Sequence, residues 1–406
     1  MLNELKNKIQ QEALVKWLEN EKKGVVILPT GVGKTILALH ALYTMDKNDL
    51  THVFLAETTE RKKDLLNDIK LYNKLFNVDV TNDYNLKFYC YQTAYRWKDK
   101  EFGLVIGDEC HDSLSPKYSQ FYFNNKYQAF IGLSATIDRK TKYEENGQIF
   151  TKGDILDKIA PVVFKYSINE AQKDNVSRKL NIYVINHQLE EVEKTVKAGS
   201  LKKSFLQTEK ASYDYWDKEH KRSWFIEDQE LKALKIRITS HKRSNLLFNL
   251  PSKVNIIKQL INTINGKTII FGNSLDALLK ITPNVVSSKN DEKKNDFIRY
   301  NFDNDKIDII ASFKKLKQGA NLDKIDNCII HSYYGVEKDI IQRVGRLRQN
   351  GDKVGNVFII LTIGTQEEVW FQKMMENMND FTIINCSDIN DCIKKYKENE
   401  KKSNNY

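Results

Sequence analysis

The segment that decides the fold reads Val25-Val26-Ile27-Leu28-Pro29-Thr30-Gly31-Val32-Gly33-Lys34-Thr35. Its apolar start predicts a buried strand, and its two glycines let backbone N–H groups approach a phosphate closely. A helix that begins near Lys34 adds its positive end to the same place. We expect residues 30–35 to bind a nucleotide, with Lys34 reaching the β- and γ-phosphates and the Thr35 hydroxyl binding Mg²⁺. The alternative is a glycine-rich turn that merely contains a lysine, and Leu28 stands where such loops usually begin with Gly or Ala.

Two adjacent carboxylates follow a second apolar run, Leu104-Val105-Ile106. Asp108 is placed to hold Mg²⁺, directly or through water, and Glu109 to orient or deprotonate an attacking water. Such a pair means little alone, but downstream of a phosphate-binding loop it indicates nucleotide hydrolysis. We interpret Cys110 as a small apolar spacer and His111 as a hydrogen-bonding residue rather than a metal ligand.

Short apolar runs alternate with amphipathic stretches in both halves of the chain. Those of the first half are 25–28, 52–55, 104–106 and 130–133, and those of the second are 268–271, 307–310, 328–330 and 357–361. Short β-rich runs between helical patterns predict parallel sheets with crossover helices. The fold class is therefore α/β, with two tandem doubly wound domains whose ligands bind at the C-terminal ends of the strands.

The same patterns give the predicted domain boundaries. We expect a first domain over residues 1–165 and a second over 166–385. Helical periodicity with many charged and aromatic residues predicts a helical insertion in the second domain at about 199–243. Residues 386–406 form a lysine-rich tail, which we expect to be frayed from Ile393 onward.

Composition narrows the function. The 406 residues carry 64 Lys and Arg against 54 Asp and Glu, a formal net charge of +10, which favours a polyanionic partner. The five cysteines form no CxxC pair, so no zinc site is expected. No apolar run is long enough for a membrane span, and the first residues do not read as a signal peptide. We expect a monomer in the cytoplasm of a bacterial or phage-infected cell, with unknown protein partners.

Asp108-Glu109-Cys110-His111, followed by Ser134-Ala135-Thr136 after another strand, resembles the superfamily 2 helicases of the DExH type. Phage and repair DNA helicases and the motor subunits of restriction enzymes are similar. The resemblance implies two RecA-like domains with ATP in the cleft. It also implies that His111, Ser134 and Thr136 couple the nucleotide to the nucleic acid.

The resemblance extends to other segments of the first domain. Gln10 is similar to the glutamine that reads adenine in many members, although Gln11 is a close competitor. Hydroxyls and N–H groups of two loops are expected to contact the nucleic-acid backbone. These residues are Glu57, Thr58, Gln92 and Thr93.

The second domain resembles the family at three further motifs. Gly272, Asn273 and Ser312 are expected at the nucleic acid, and Gly319 and Asn321 at the nucleotide. Gln342, Gly345, Arg346 and Arg348 look like the motif whose arginines bind the phosphates of ATP. Family members usually place the second arginine three residues after the first, which here is Gln349, so the roles of Arg346 and Arg348 stay open between them.

The resulting expectation is an ATP- and Mg²⁺-dependent DNA helicase or translocase that unwinds or remodels DNA, with branch migration or annealing as further activities. RNA is the less favoured track. An ATP-gated nucleic-acid clamp or remodelling subunit that never separates strands is the main alternative. A small-molecule kinase is disfavoured because it leaves the arginine motif unexplained.

Overall fold

The computed structural model describes residues 2–29, 31–47, 49–57, 60–135, 137–145, 147–176, 179–199, 203–313, 325–333, 354–375 and 382–403. The chain divides into two compact units, and the division falls between residues 177 and 178. Among the described residues, no helix is both long and apolar enough to cross a bilayer.

The first unit alternates strands and helices from its start. Its strands are β1 (Lys23–Ile27), β2 (His52–Ala56), β3 (Leu86–Cys90), β4 (Glu101–Asp108), β5 (Lys126–Ser134), β6 (Lys142–Glu145), β7 (Gln148–Thr151) and β8 (Val162–Lys165). Its helices are α1 (Leu2–Glu19), α2 (Lys34–Tyr43), α3 (Glu60–Phe76), α4 (Val80–Asp83), α5 (Tyr91–Ala94), α6 (Gln120–Phe123), α7 (Lys152–Ile159) and α8 (Ile168–Lys173), with a short 3₁₀ turn at Cys110–Asp112.

Six of these strands form a sheet in the order β3-β2-β4-β5-β1-β8. Every pairing in it is parallel, and β6 and β7 form a separate antiparallel hairpin. Asp108 pairs with Leu133, and Ile27 pairs with Ser134. The C-terminal ends of β4, β5 and β1 therefore meet at one edge of the sheet, which is where a parallel sheet binds its ligands.

The first unit extends further than the predicted boundary at residue 165. Helix α8 begins with a capping box between Ser167 and Glu170. Tyr166, Ala171 and Val176 are buried in the hydrophobic core of the first sheet. Apolar side chains after β8 thus continue to cover the first sheet, and the compact unit runs to residue 177.

The second unit repeats the architecture. Its strands are β9 (Leu180–His187), β10 (Val196–Gly199), β11 (Ser204–Gln207), β12 (Thr268–Gly272), β13 (Val285–Ser287), β14 (Ile309–Phe313), β15 (Asn327–Ile330), β16 (Gly355–Thr362) and β17 (Thr382–Cys386). Its helices are α9 (Glu209–Ser223), α10 (Gln229–Leu247), α11 (Pro251–Ile261), α12 (Leu275–Ile281), α13 (Glu292–Asp303), α14 (Gln366–Met375) and α15 (Ile389–Ser403).

Seven strands form the second sheet, in the order β13-β14-β12-β15-β16-β9-β17, with every pairing parallel. Strands β12 and β16 are buried along their whole length, as expected for parallel strands covered on both faces. The predicted fold class, two doubly wound parallel-sheet domains, is confirmed.

The predicted helical insertion is also confirmed. An antiparallel hairpin of β10 and β11 leads into α9 and α10, which pack against each other. Tyr213, Leu247 and Phe248 form a small core at its base with Leu189 and Leu250. The insertion is therefore anchored on the second unit by its own apolar residues.

The expectation of a frayed tail is wrong. Residues 389–403 form a helix, in which Cys392 and Tyr396 are buried in the core of the second sheet. The Asn399 side chain also donates a hydrogen bond to the Tyr183 hydroxyl at 3.0 Å. The lysines of this segment occupy the outer face of an amphipathic helix, and a count of charges alone missed the apolar face.

Candidate active site

The phosphate-binding loop has the backbone that its glycines predict. Gly31 and Gly33 adopt φ angles of +88° and +96°, in the left-handed region that favours glycine. Helix α2 begins directly after, at Lys34. A Cβ at Gly33 would meet the end of the Gln10 side chain, which would have to move, and the backbone angle itself favours glycine there.

Gln10, on α1, lies against this loop. Its side chain is buried, and Nε2 donates a hydrogen bond to the Val32 carbonyl oxygen at 2.7 Å. Gln11 is exposed. Of the two candidates, the structure therefore brings Gln10, and not Gln11, to the nucleotide loop.

The Lys34 side chain lies between the phosphate-binding loop and Glu109. Its Nζ lies 3.3 Å from the Leu28 carbonyl oxygen and 3.5 Å from Glu109 Oε1. The ammonium group is thus held over the loop by two oxygens. A bound phosphate could replace these partners because it offers the same kind of acceptor with more charge.

Asp108 ends β4 and is buried, with 5% of its surface exposed. Glu109 follows in the left-handed region, at φ +44°, which is uncommon for a residue with a side chain. This turn of the backbone sends the Glu109 carboxylate towards Lys34. The Tyr91 hydroxyl donates a hydrogen bond to the Asp108 carbonyl oxygen at 3.0 Å, and burial raises the pKa of Tyr91 well above its usual range.

His111 links this motif to the end of β5. Its Nδ1 lies 2.6 Å from Ser134 Oγ and 3.3 Å from Glu109 Oε2. Glu109 Oε2 is buried and accepts no hydrogen bond from the part of the chain that the structure describes. Two predicted coupling residues, His111 and Ser134, are therefore in direct contact beside the predicted base. Between them in the sequence, Cys110 is a buried spacer as predicted, and burial raises the pKa of its thiol.

Arg61, near the start of α3, belongs to the site but was not predicted. Its Nε donates to Asp108 Oδ2 at 2.6 Å, and its Nη2 donates to Thr35 Oγ1 at 2.7 Å. Strand β2 lies beside β4, so a side chain soon after β2 reaches the same edge of the sheet. An arginine five residues after a buried strand of the first sheet was the available signal.

The ligand chemistry of the site fits Mg²⁺. Thr35 Oγ1 and Asp108 Oδ2 are hard oxygen ligands, and the two already bind one cationic group, the Arg61 guanidinium. Mg²⁺ sites of nucleotide-binding proteins use few protein ligands, because phosphate oxygens and waters supply the others.

The other described residues that were predicted in the first unit follow strands β2 and β3. Gln92 and Thr93 are exposed on the short helix α5, at the C-terminal end of β3. Glu57 is half-buried directly after β2. All three are at the C-terminal edge of the first sheet, where β2 and β3 end side by side.

In the second unit, Gly272 ends β12 and is buried. Asn273 is tied to Ser332, because its backbone N–H donates to Ser332 Oγ at 2.7 Å and its side-chain amide donates to the Ser332 carbonyl oxygen at 3.3 Å. Ser312 is buried, and its hydroxyl has no hydrogen-bond partner among the described residues. In this structure the Ser312 hydroxyl is therefore covered rather than open to a ligand.

The remaining predicted residues lie outside the described part of the chain. They are Thr30, Thr58, Thr136, Gly319, Asn321, Gln342, Gly345, Arg346 and Arg348.

A buried polar cluster of the second unit was also not predicted. Lys253 Nζ lies 2.6 Å from both carboxylate oxygens of Glu367, and both side chains are fully buried. His331, just after β15, is fully buried, and no described residue forms a hydrogen bond with either of its ring nitrogens. Burial, helped by the charge of Lys253, lowers the pKa of His331 to about 3. Lys253 and Glu367 lie on two helices and His331 follows a strand, so no local pattern in the sequence indicates such a cluster.

Residues 4–139 match the family model described as "Type III restriction enzyme, res subunit". Over 371 residues the chain is 25% identical to the protein named "DNA 3'-5' translocase XPB2" from Sulfurisphaera tokodaii, an alignment that covers 88% of this chain and 82% of that one.

Three solved structures share the fold. The S. cerevisiae protein Dbp5, bound to RNA and ADP BeF3, superimposes with a TM-score of 0.60 at 12% identity, over 97% of this chain and 93% of that chain. The helicase domain of Pyrococcus furiosus Hef gives 0.53 at 14% identity, over 90% and 98%. The ATP-dependent Type ISP restriction-modification enzyme LlaBIII, bound to DNA, gives 0.57 at 14% identity over 94% of this chain, which spans 31% of that enzyme.

Proposed function

We propose that this chain is a superfamily 2 helicase or translocase, which moves along DNA or remodels it by hydrolysing ATP. One observation carries the proposal. The phosphate-loop lysine Lys34 and the carboxylates Asp108 and Glu109 converge at one edge of a parallel sheet, with Lys34 Nζ 3.5 Å from Glu109 Oε1. A cation for phosphates, a metal-binding carboxylate and a base for water are what phosphoryl transfer to water requires.

The roles of the residues follow from their contacts. Lys34 would hold the β- and γ-phosphates, and Gln10 would read the base from its position beside the loop. Thr35 and Asp108 would hold Mg²⁺, which when bound neutralises phosphate charge. Glu109 would orient and deprotonate the attacking water. Its buried Oε2, which accepts no hydrogen bond from the described residues, would take that water's proton.

DNA is the favoured track. The relative from Sulfurisphaera tokodaii is named a DNA translocase, and the family model that matches the first unit takes its name from restriction enzymes. The RNA-bound relative Dbp5 is similar at only 12% identity, so that likeness concerns the fold. We further propose that the chain moves in the 3′–5′ direction, as the name of its curated relative states for that protein.

The test measures ATPase activity with single-stranded DNA, duplex DNA, forked DNA and RNA as activators. We expect a DNA substrate to stimulate turnover more than RNA does. Lys34→Ala is the control for contaminating ATPases. Stimulation by RNA alone would contradict the DNA assignment.

Direction and strand separation need two further substrates. Streptavidin on the 5′ end of a single strand should be displaced faster than streptavidin on the 3′ end. A triplex-displacement assay, run beside a duplex-unwinding assay, separates movement from unwinding. Displacement of a third strand without duplex unwinding would identify a translocase that does not separate strands. If the protein shows neither activity, an ATP-gated clamp is the interpretation that fits.

A further inference from the structure

The guanidinium group of Arg61 spans the two oxygens to which the proposed function assigns Mg²⁺. It donates to Asp108 Oδ2 at 2.6 Å through Nε and to Thr35 Oγ1 at 2.7 Å through Nη2. We propose that Arg61 is a built-in counter-cation, which holds the metal-binding residues while no metal is bound and which Mg²⁺ must displace. The inference rests on the assignment of the metal to Thr35 and Asp108.

Burial explains why a cation is present there. The Asp108 side chain is only 6% exposed, and a buried carboxylate without a partner is costly. Arginine keeps its charge at every relevant pH, and its planar fork can serve two acceptors at once. Arg61 therefore balances the negative charge of Asp108 and, with the same guanidinium group, holds the Thr35 hydroxyl in place.

The guanidinium and a metal ion cannot share these positions. An ion at Mg²⁺–oxygen distances of about 2.0–2.1 Å from both oxygens would lie within a few ångströms of the Arg61 charge. Two cations so close inside a protein repel each other strongly, since the surroundings screen them less than water does. Binding of the metal therefore requires Arg61 to leave.

The structure offers a place for Arg61 to move to. Asp68 lies two turns further along the same helix, and its Oδ2 is 3.7 Å from Arg61 Nη1. A change of side-chain torsions would turn the guanidinium from Asp108 to Asp68 and keep it paired. The metal-free site is then preorganised, and Arg61 and the metal compete for it.

The first test measures Mn²⁺ binding to the nucleotide-free protein by electron paramagnetic resonance. Arg61→Gln keeps a hydrogen-bond donor but removes the charge, so we expect it to bind Mn²⁺ about tenfold more tightly than the unaltered protein. Arg139→Gln is the matched control, because Arg139 pairs with Asp157 on the surface of the same unit, and it should leave Mn²⁺ affinity unchanged. Equal or weaker Mn²⁺ binding by Arg61→Gln would overturn the proposal.

Measurements of melting temperature show whether Arg61→Gln has a folding defect. Without metal, Arg61→Gln should have a lower melting temperature than the unaltered protein, because Asp108 has lost its counter-cation. Addition of Mg²⁺ should then raise the melting temperature of Arg61→Gln more than that of the unaltered protein. An equal response of both proteins to Mg²⁺ contradicts the competition.

The variant Asp108→Asn tests the assignment of the metal site independently of the proposed role of Arg61. If Mn²⁺ binds Asp108→Asn with ADP as tightly as it binds the unaltered protein with ADP, the metal does not bind at Asp108 and both ideas fall. If Asp108→Asn weakens Mn²⁺ binding while Arg61→Gln leaves it unchanged, only the role of Arg61 is lost.

Discussion

Glu109 combines three features at the scale of one residue. Its backbone has a φ of +44°, its Oε1 lies 3.5 Å from Lys34 Nζ, and its Oε2 is buried with no hydrogen bond from any described residue. A left-handed backbone at a residue with a side chain costs energy, and such strain is retained where it aims a functional group. This geometry suits a general base that accepts a proton from a water molecule near the γ-phosphate.

We predict that Glu109→Gln still binds ATP but hydrolyses it at least about 100-fold more slowly, because the amide keeps the shape and loses the base. The measurement is single-turnover hydrolysis together with ATP affinity. We also expect tighter DNA binding in the presence of ATP, from a trapped ATP-bound state. Glu101→Gln, at the exposed opposite end of β4, is the matched control. Normal hydrolysis by Glu109→Gln would reduce Glu109 to a structural residue.

His331 shows what burial does to a single titratable group. It is fully buried, and its pKa of about 3 lies below the model-peptide value of 6.5. At pH values between these two pKa values, His331 is protonated in the unfolded chain but not in the folded chain, so acid favours unfolding. The stability that the neutral imidazole preserves is complete above about pH 6.5 and is lost as the pH falls towards 3. His187 shifts in the same direction for the same reason.

We predict that His331→Leu loses less stability than the unaltered protein between about pH 7.5 and about pH 5, by up to about 2 kcal/mol. Urea unfolding at both pH values gives the difference. His241→Leu, on the exposed side of α10, serves as the control and should follow the unaltered protein. The same pH dependence in His331→Leu and in the unaltered protein would mean that His331 is solvated or paired in solution.

At the scale of elements, the insertion divides into a packed face and an open face. His220 contacts Thr239 across the two helices at 3.0 Å, and Arg243 pairs with Asp217 at 2.6 Å. The Trp224 indole N–H also donates to His220 Nε2 at 3.4 Å, so part of the aromatic content of the insertion is packing. Trp224 and Phe225, at the end of α9, are nevertheless 55% and 86% exposed.

The exposed charges of the insertion permit a test that leaves its packing intact. Residues 199–243 hold eleven Lys and Arg against seven Asp and Glu, a surplus that suits a polyanion. Lys218, Lys221 and Arg222 are all exposed on α9. Lys221 pairs with Asp217 at 2.7 Å and Arg222 with Glu219 at 2.8 Å, and surface pairs of this kind contribute little to stability.

We predict that replacing Lys218, Lys221 and Arg222 with Ala weakens DNA binding and reduces the slope of log affinity against log salt by up to about 3, without changing DNA-free ATPase activity. Replacement of Lys280, Lys293 and Lys294, exposed on other helices of the second unit, is the charge-matched control. An unaltered affinity and salt slope would make the insertion a packing element only.

Periodicity predicted the elements that are buried and regular. The eight predicted apolar runs all lie in or overlap the parallel strands β1, β2, β4, β5, β12, β14, β15 and β16. The parallel strands β3, β8, β13 and β17 are not among these runs. Strands β3, β8 and β17 carry exposed or half-buried polar residues, and β13 has only three residues. Helix α15 escaped notice because its lysines outnumber its apolar residues, although two of the latter anchor it in the core.

For the whole molecule, the sequence predicted residues whose spacing is local and missed those that tertiary contacts assemble. Lys34, Asp108 and Glu109 could be identified because each follows a strand within its own motif. Arg61 could not, since only the pairing of β2 with β4 brings it to Asp108. The Lys253–Glu367 ion pair joins residues that are 114 positions apart, and no local sequence pattern predicts it.

Arg346 and Arg348 of the arginine motif lie outside the described residues, so their proposed role rests on the sequence. An arginine that stabilises the charge of the transition state acts on turnover and much less on ATP binding. We therefore expect Arg346→Ala to lower kcat by at least about 100-fold with a small change in ATP affinity. Because the spacing of the motif is irregular, Arg348→Ala decides whether the second arginine shares this role.

Gln349→Ala tests the spacing directly. Gln349 stands where family members usually carry the second arginine, but an amide supplies no positive charge to a transferring phosphoryl group. If Arg348 has taken over the role, Gln349→Ala should keep nearly full turnover while Arg348→Ala loses it, each measured as kcat and ATP affinity with saturating DNA. A normal kcat in Arg348→Ala removes that arginine from the mechanism, and a normal kcat in both arginine variants would require another source of charge for the transition state.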